Sequence, residues 1–201
     1  LNIEGKDYYF NTSSGILTNK WEYVNDKYYY YVSSVMQVGL VNVNGNYYYF
    51  NNNGEMEQGW KRINNSIYYF DNDGKAVSGL INLGGNKYYF NNNHTLAKGL
   101  VLIDNNYYGF DDNGNELYGW HKLSNNVYYF NDEGIAVKGM QSIEGKTYYF
   151  NTSSAVLLKD QFISDGGKYY YVDNNGVIQK GWLYYKTIFP LHQLYRILLY
   201  K

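Results

Sequence analysis

Apolar and polar positions along this chain follow two superposed rhythms. In short runs such as Ile67-Tyr68-Tyr69-Phe70, side chains of an extended backbone alternate faces with period 2, which predicts strands. The runs themselves recur every 20 residues: Tyr8-Tyr9-Phe10, Tyr48-Tyr49-Phe50, Tyr68-Tyr69-Phe70, Tyr88-Tyr89-Phe90, Tyr128-Tyr129-Phe130 and Tyr148-Tyr149-Phe150 stand in one register. In the unit from Gly59 to Ser78, two apolar segments around Trp60 to Ile63 and Ile67 to Phe70 flank the polar turn Asn64-Asn65-Ser66. Counterparts such as Asn44-Gly45-Asn46 and Gly84-Gly85-Asn86 tolerate the positive φ of hairpin turns, so each unit is expected to begin with a β-hairpin. A second turn closes on Gly, as in Asp71-Asn72-Asp73-Gly74, and supplies the reversal into a short third extended segment.

A unit of this size cannot bury its own apolar face, so neighbours must stack. The predicted architecture is all-β, a β-solenoid of about nine stacked 20-residue β-hairpin repeats. Residues 1–182 form a single repeat module with no internal domain boundary, and 183–201 a non-repeat C-terminal tail or cap. In that tail Leu191, Leu194, Leu198 and Leu199 follow Pro190 at helix-like spacing. Within the triplet, Tyr68 and Phe70 share one face and Tyr69 takes the other; one face is expected to be core, and the aliphatic slot of Ile63, Leu83, Ile103, Leu123 and Ile143 to pack with the core-facing aromatics of neighbouring units. The array has irregularities. Repeat two reads Tyr28 to Tyr31 and Val32, with Ser34 in place of its second Gly; Gly109 stands in an aromatic slot; and two residues are gained between Phe150 and Val172, where Leu158 to Gln161 replace a Gly.

Composition supports strands and narrows function. The chain holds 28 Tyr, 9 Phe and 4 Trp with 17% charged residues, and aromatic residues suit a pleated, half-buried surface. A net charge of −1, with bases and acids interspersed, leaves no footprint for nucleic acid or anionic lipid. Cysteine is absent, which excludes disulfides, thiolate metal sites and a Cys nucleophile. No run of 18 apolar residues predicts a transmembrane segment. The start at Leu1 leads us to expect a piece excised from a longer chain. His94, His121 and His192 occupy unlike repeat positions, so no catalytic residues are assigned. Asp-rich turns lack the remaining ligands of a calcium loop, so no metal or cofactor is expected.

The succession Gly-Trp, Asn-Gly-x-Tyr-Tyr-Tyr-Phe, Asn-Gly-x-Met, Gly-Trp, as in Gly45 to Trp60, resembles the cell-wall-binding or glucan-binding repeats of Gram-positive surface proteins. That family includes choline-binding modules of autolysins, glucan-binding regions of glucansucrases and the receptor-binding C-terminal repeats of large clostridial toxins. The resemblance covers residues 1–182. It implies hairpins stacked with about a third of a turn between units, and non-catalytic attachment of a secreted or surface-associated protein to a cell-surface glycan or cell-wall polymer. Choline modules usually show Trp-Tyr-Tyr after the hairpin turn. Here the first of those slots holds Asp7, Lys27, Tyr47, Ile67, Lys87, Tyr107, Val127 and Thr147. Most units therefore lack the aromatic cage that a quaternary ammonium needs, and the Tyr-Tyr-Phe-Asn pattern is closer to the toxins' short repeats. Carbohydrate leads on this reading; a choline site on teichoic acid and a structural spacer remain alternatives.

A slower rhythm marks candidate binding residues. The residue after the closing Gly is Trp at 60, 120 and 182, and 13 residues before each stands Tyr47, Tyr107 or Tyr169. These six form the expected ligand site, recurring every third unit on one side of the solenoid and binding a polymer by linked weak contacts. Trp21 also has a Tyr 13 residues earlier, at Tyr8, but sits one position out of register and is set aside.

Overall fold

The computed structural model describes residues 19–180 with their side chains and, beyond them, the backbone of strands at 2–3, 6–7, 181–186 and 194–199. All regular structure among the described residues is β, built from antiparallel hairpins at 20–32, 39–50, 59–70, 79–90, 99–110, 119–130, 139–150 and 161–172. The chain divides into two compact units, Leu1–Ala97 and Lys98–Lys201.

Six of these hairpins set a closing Gly against the Phe that ends the triplet. In hairpin 59–70, Gly59 pairs with Phe70, Trp60 with Tyr69 and Ile63 with Ser66. The turn is therefore two residues long, Asn64 at φ 47° and Asn65 at φ 66°, and Ser66 already belongs to a strand. Two left-handed residues match the twist of the flanking strands, which is why Asn, Asp and Gly crowd these positions. In the second turn Asp71 Oδ1 accepts from the backbone N–H groups of Asp73 (2.9 Å) and Lys75 (2.8 Å). Asn51, Asp111, Asn131 and Asp173 do the same, so this slot needs a short side-chain acceptor.

Both faces of the hairpins are packed, not one. In the first unit Trp21, opposite Tyr30, lies over Tyr48 and Phe50 of the next hairpin, with centroids at 4.9 and 5.7 Å. Trp60, opposite Tyr69, likewise covers Tyr88 (5.0 Å) and Phe90 (5.7 Å). In the second unit Trp120 covers Tyr148 (4.8 Å) and Phe150 (5.8 Å). The front of one hairpin thus closes on the back of the next. The reason is that a two-stranded ribbon lined with rings on both sides gains little by covering one of them. The triplet Phe is the innermost residue: Phe50, Phe70, Phe90, Phe110, Phe130 and Phe150 are at most 1% exposed. In the aliphatic slot Ile143 is buried, while Ile63, Leu83, Ile103 and Leu123 are half-buried.

The short third segment sews each hairpin to the one before. Ala76 bridges to Phe70 of its own hairpin, and its N–H donates to the Tyr47 carbonyl at 2.8 Å. Leu96 to Ile67, and in the second unit Ala136 to Tyr107 and Leu157 to Val127, repeat the bond. Gly74 shows how tightly these segments meet: its φ is +77°, and a Cβ there would stand 2.4 Å from Met56 Sδ. Gly74→Ala is expected to cost about 1–2 kcal/mol through the left-handed backbone alone, and to displace the thioether. Chemical denaturation of the variant measures that loss; an unchanged midpoint would contradict it.

The irregular stretches have structural causes. Repeat two is one residue short because its second turn is the two-residue Ser33-Ser34, φ 47° and 62°, pairing Val32 with Val35. Gly109 makes room for a ring: a Cβ there would lie 2.5 Å from Phe130 Cζ. Between Phe150 and Val172, Ala155 (φ 59°) and Asp160 (φ 48°) take left-handed positions that Gly fills elsewhere. The C-terminal stretch is not helical over Leu194–Leu199, which forms a strand antiparallel to Gly181–Lys186. Gly181 finds its partner at Leu199, eighteen residues on, where Gly59 finds Phe70 after eleven. Helix-like leucine spacing loses here to the unpaired strand that precedes it.

One core slot carries a charge. At the position of Met56 and Leu96, Glu116 is buried and accepts a hydrogen bond from the Tyr118 hydroxyl. That bond, with some burial and the nearby negative charge, pushes the Tyr118 pKa up from 10.0 to about 12. The folded state then holds the phenolic proton more tightly than the unfolded chain, so this stability is present below pH 10.0 and is lost as pH rises toward about 12. Tyr118→Phe is expected to flatten that alkaline loss relative to the parent protein in denaturation series across this range. An identical slope in both would remove the linkage.

Candidate functional site

The hairpin register decides which aromatic residues meet. Across hairpin 20–32, Trp21 pairs with Tyr30 and Tyr23 with Tyr28. Tyr28 therefore occupies the place that Ile67 holds opposite Arg62 and Val127 holds opposite Lys122. Counting in steps of 20 puts Lys27 there; the short second turn moves the slot by one. Trp21, set aside on the same count, is thus the Trp whose own hairpin supplies a further ring at this position, and its ring packing matches that of Trp60 and Trp120.

These residues line a cleft of about 240 Å³ in the first unit, walled by Trp21, Tyr28, Tyr48 and Met56, with Asn72 and Asp73 at one side. Three rings come from two successive hairpins, and a thioether from the segment that follows. Trp21 and Tyr48 meet edge to face at 70°, so these two walls present ring surfaces in different directions. The Asp73 carboxylate is paired with Lys75 at 3.4 Å. Aromatic faces and a thioether beside a carboxylate suit a cation that itself has no N–H to donate.

Of the pairs expected from sequence, Tyr47 with Trp60 and Tyr107 with Trp120 each find other ring or cation partners. Trp60 is 43% exposed, and its ring contacts are Tyr69, Tyr88 and Phe90; the ring contact of Tyr47 is His94, at 5.2 Å. Tyr47 stands in the slot of Tyr28, but the His94 ring packs against it, whereas the residue corresponding to His94 one repeat earlier is Gly74, which has no side chain. Trp120 packs on Tyr129, Tyr148 and Phe150, with Val127 beside it. Tyr107 carries the Lys138 ammonium 5.4 Å from its ring centre, a cation already in place. Tyr169 is 67% exposed in a hairpin whose Trp slot holds Phe162, opposite Tyr171. The Trp182 side chain lies outside the described residues, as does Tyr8. Residues 13 apart on either side of a closing Gly belong to different hairpins, and the ring that completes a wall lies seven residues after the Trp, across its own turn.

Residues 37–78, 57–98, 117–162 and 137–180 match the family model of a choline-binding repeat. No curated protein matches the chain. Among solved structures, CbpJ from Streptococcus pneumoniae is similar with a TM-score of 0.66 and 20% identity, over 89% of this chain and 86% of that one. Choline binding protein F of the same organism, solved with a peptidoglycan analogue, is 26% identical with a TM-score of 0.65, over 77% of this chain and 56% of its own. The autolysin LytC of S. pneumoniae, in complex with a synthetic peptidoglycan ligand, aligns with 96% of this chain and 46% of its own at 20% identity and a TM-score of 0.64.

Proposed function

The chain belongs to the choline-binding repeat family, and we propose that it is a non-catalytic attachment module whose cleft at Trp21, Tyr28, Tyr48 and Met56 holds the trimethylammonium group of choline on a cell-wall polymer. The observation that carries this reading is the third ring, Tyr28, at a wall where the corresponding residues in hairpins 59–70 and 119–130 are Ile67 and Val127. A quaternary ammonium is held by ring faces and dispersion, and by long-range attraction to a carboxylate such as Asp73; it needs no hydrogen bond. Carbohydrate led choline on the sequence alone because most units, Lys27 among them, place no aromatic residue in the cage slot and the Tyr-Tyr-Phe-Asn pattern is closer to the toxins' short repeats. With Tyr28 there, the order reverses.

Attachment through such a site serves a larger secreted protein, wall-associated or a toxin of clostridial type, held at the cell surface by a choline-bearing polymer. A single cage of this kind binds weakly, so attachment through one site is reversible. The test is titration of choline into the protein, followed by tryptophan fluorescence and calorimetry. We expect saturable binding with one site per chain. Absence of any response to choline, with retention on a choline-free wall glycan, would return the function to carbohydrate.

A further inference from the structure

The cleft does not end at Tyr28 and Met56. Both residues also line an adjoining compartment of about 440 Å³, whose other walls are Tyr23, Asp26, Lys27, Glu57, Gln58 and Lys61. Tyr23 and Tyr28 face each other across the hairpin with ring centres 4.6 Å apart, and they remain 57% and 47% exposed. Large rings left this open are available to a ligand.

The polar groups here are balanced. Two acids, Asp26 and Glu57, stand with two bases, Lys27 and Lys61, so neither an anion nor a second cation is favoured by net charge. Glu57 is ion-paired with Lys61, and the Lys61 hydrogen bond holds its carboxyl below the usual carboxylate range. The Tyr23 hydroxyl donates to Asp26 Oδ1 at 2.9 Å, and Gln58 Nε2 donates to the Asn72 carbonyl at 2.6 Å, tying this compartment to the wall of the first. Interleaved donors and acceptors beside an exposed ring suit a neutral ligand with many hydroxyl groups and an apolar C–H face. A sugar ring has both.

We propose that this second compartment binds a sugar residue covalently linked to the ammonium held in the first, so that the site reads a choline-substituted saccharide and not choline alone. The inference rests on the choline reading of the first compartment. Tyr28 and Met56 are the shared wall: one side contacts methyl groups of the ammonium, the other the sugar's C–H face. Asp26, Lys27, Glu57, Gln58 and Lys61 meet the hydroxyls.

The probes are choline and choline β-D-glucopyranoside, titrated into the parent protein and into the double variant Asp26→Ala/Lys61→Ala. The double variant removes one acid and one base together and so preserves net charge near the cage. The glucoside is expected to bind the parent about tenfold tighter than choline, the gain of one or two net hydrogen bonds. The double variant should lose that gain while its affinity for choline stays within about twofold. A glucoside no tighter than choline on the parent overturns the sugar compartment and leaves the ammonium cage standing, as does a gain that survives in the double variant. Failure of both probes to bind overturns the cage, and the sugar compartment with it.

Discussion

Replacing Phe130 by Ala is expected to remove roughly 3–5 kcal/mol of stability, read as a lowered urea midpoint. The ring is 1% exposed and packs in a cluster with Tyr128, Ala136 and Ala155. Two of its buried neighbours, Ala136 and Ala155, have no side chain long enough to fill the space, and the backbone of Gly109 lies against the ring edge, where even a Cβ would be 2.5 Å away. A cavity that cannot collapse costs more than the transfer of the missing atoms, because the lining loses its dispersion contacts as well. A loss below about 1 kcal/mol would show that the hairpins of this unit do not depend on the triplet Phe for their cohesion.

Trp21→Ala is expected to weaken choline binding by about 30-fold, corresponding to roughly 2 kcal/mol for a desolvated cation–π wall. Trp60→Ala and Trp120→Ala should leave choline affinity within about twofold, since Ile67 and Val127 stand where Tyr28 closes the cleft. Calorimetry on the three variants, each checked for retained far-ultraviolet dichroism, separates the outcomes. If the Trp60 and Trp120 variants lose binding and the Trp21 variant keeps it, the cage at hairpin 20–32 is wrong and the 60-residue rhythm of Trp regains its claim.

Hairpins and turns were legible in the sequence because each rests on local chemistry. Asn-Gly and Asn-Asn tolerate left-handed backbone, Asp71 and its counterparts accept from their own turn, and the triplet alternates as any strand does. What was not legible depends on pairing. A one-residue deficit at Ser33-Ser34 shifted Tyr28 out of the counted slot and Trp21 out of the counted register. Linear spacing linked Tyr47 to Trp60, yet contact across a hairpin runs through the turn, and Tyr47 meets His94 instead. The use of both faces was hidden for a similar reason: alternation says that Tyr69 and Phe70 point apart, but not that each direction leads to another hairpin. In the same way the leucines of the C-terminal stretch have helical spacing, and a free strand edge claims Leu194–Leu199 all the same.

Front-to-back packing has a consequence for how such a chain can change over time. Because the forward face of a hairpin fits the rear face of its successor, excision or duplication of one whole period leaves matching surfaces at the new junction. Loss of a single residue inside a strand is different in kind, since it turns every following side chain to the opposite face. Repeat two shows where an odd deletion is survivable: in the loop at Ser33-Ser34, between strands whose alternation it leaves intact. Length in this architecture is therefore free to drift in whole periods, and loops are the place where phase errors are absorbed.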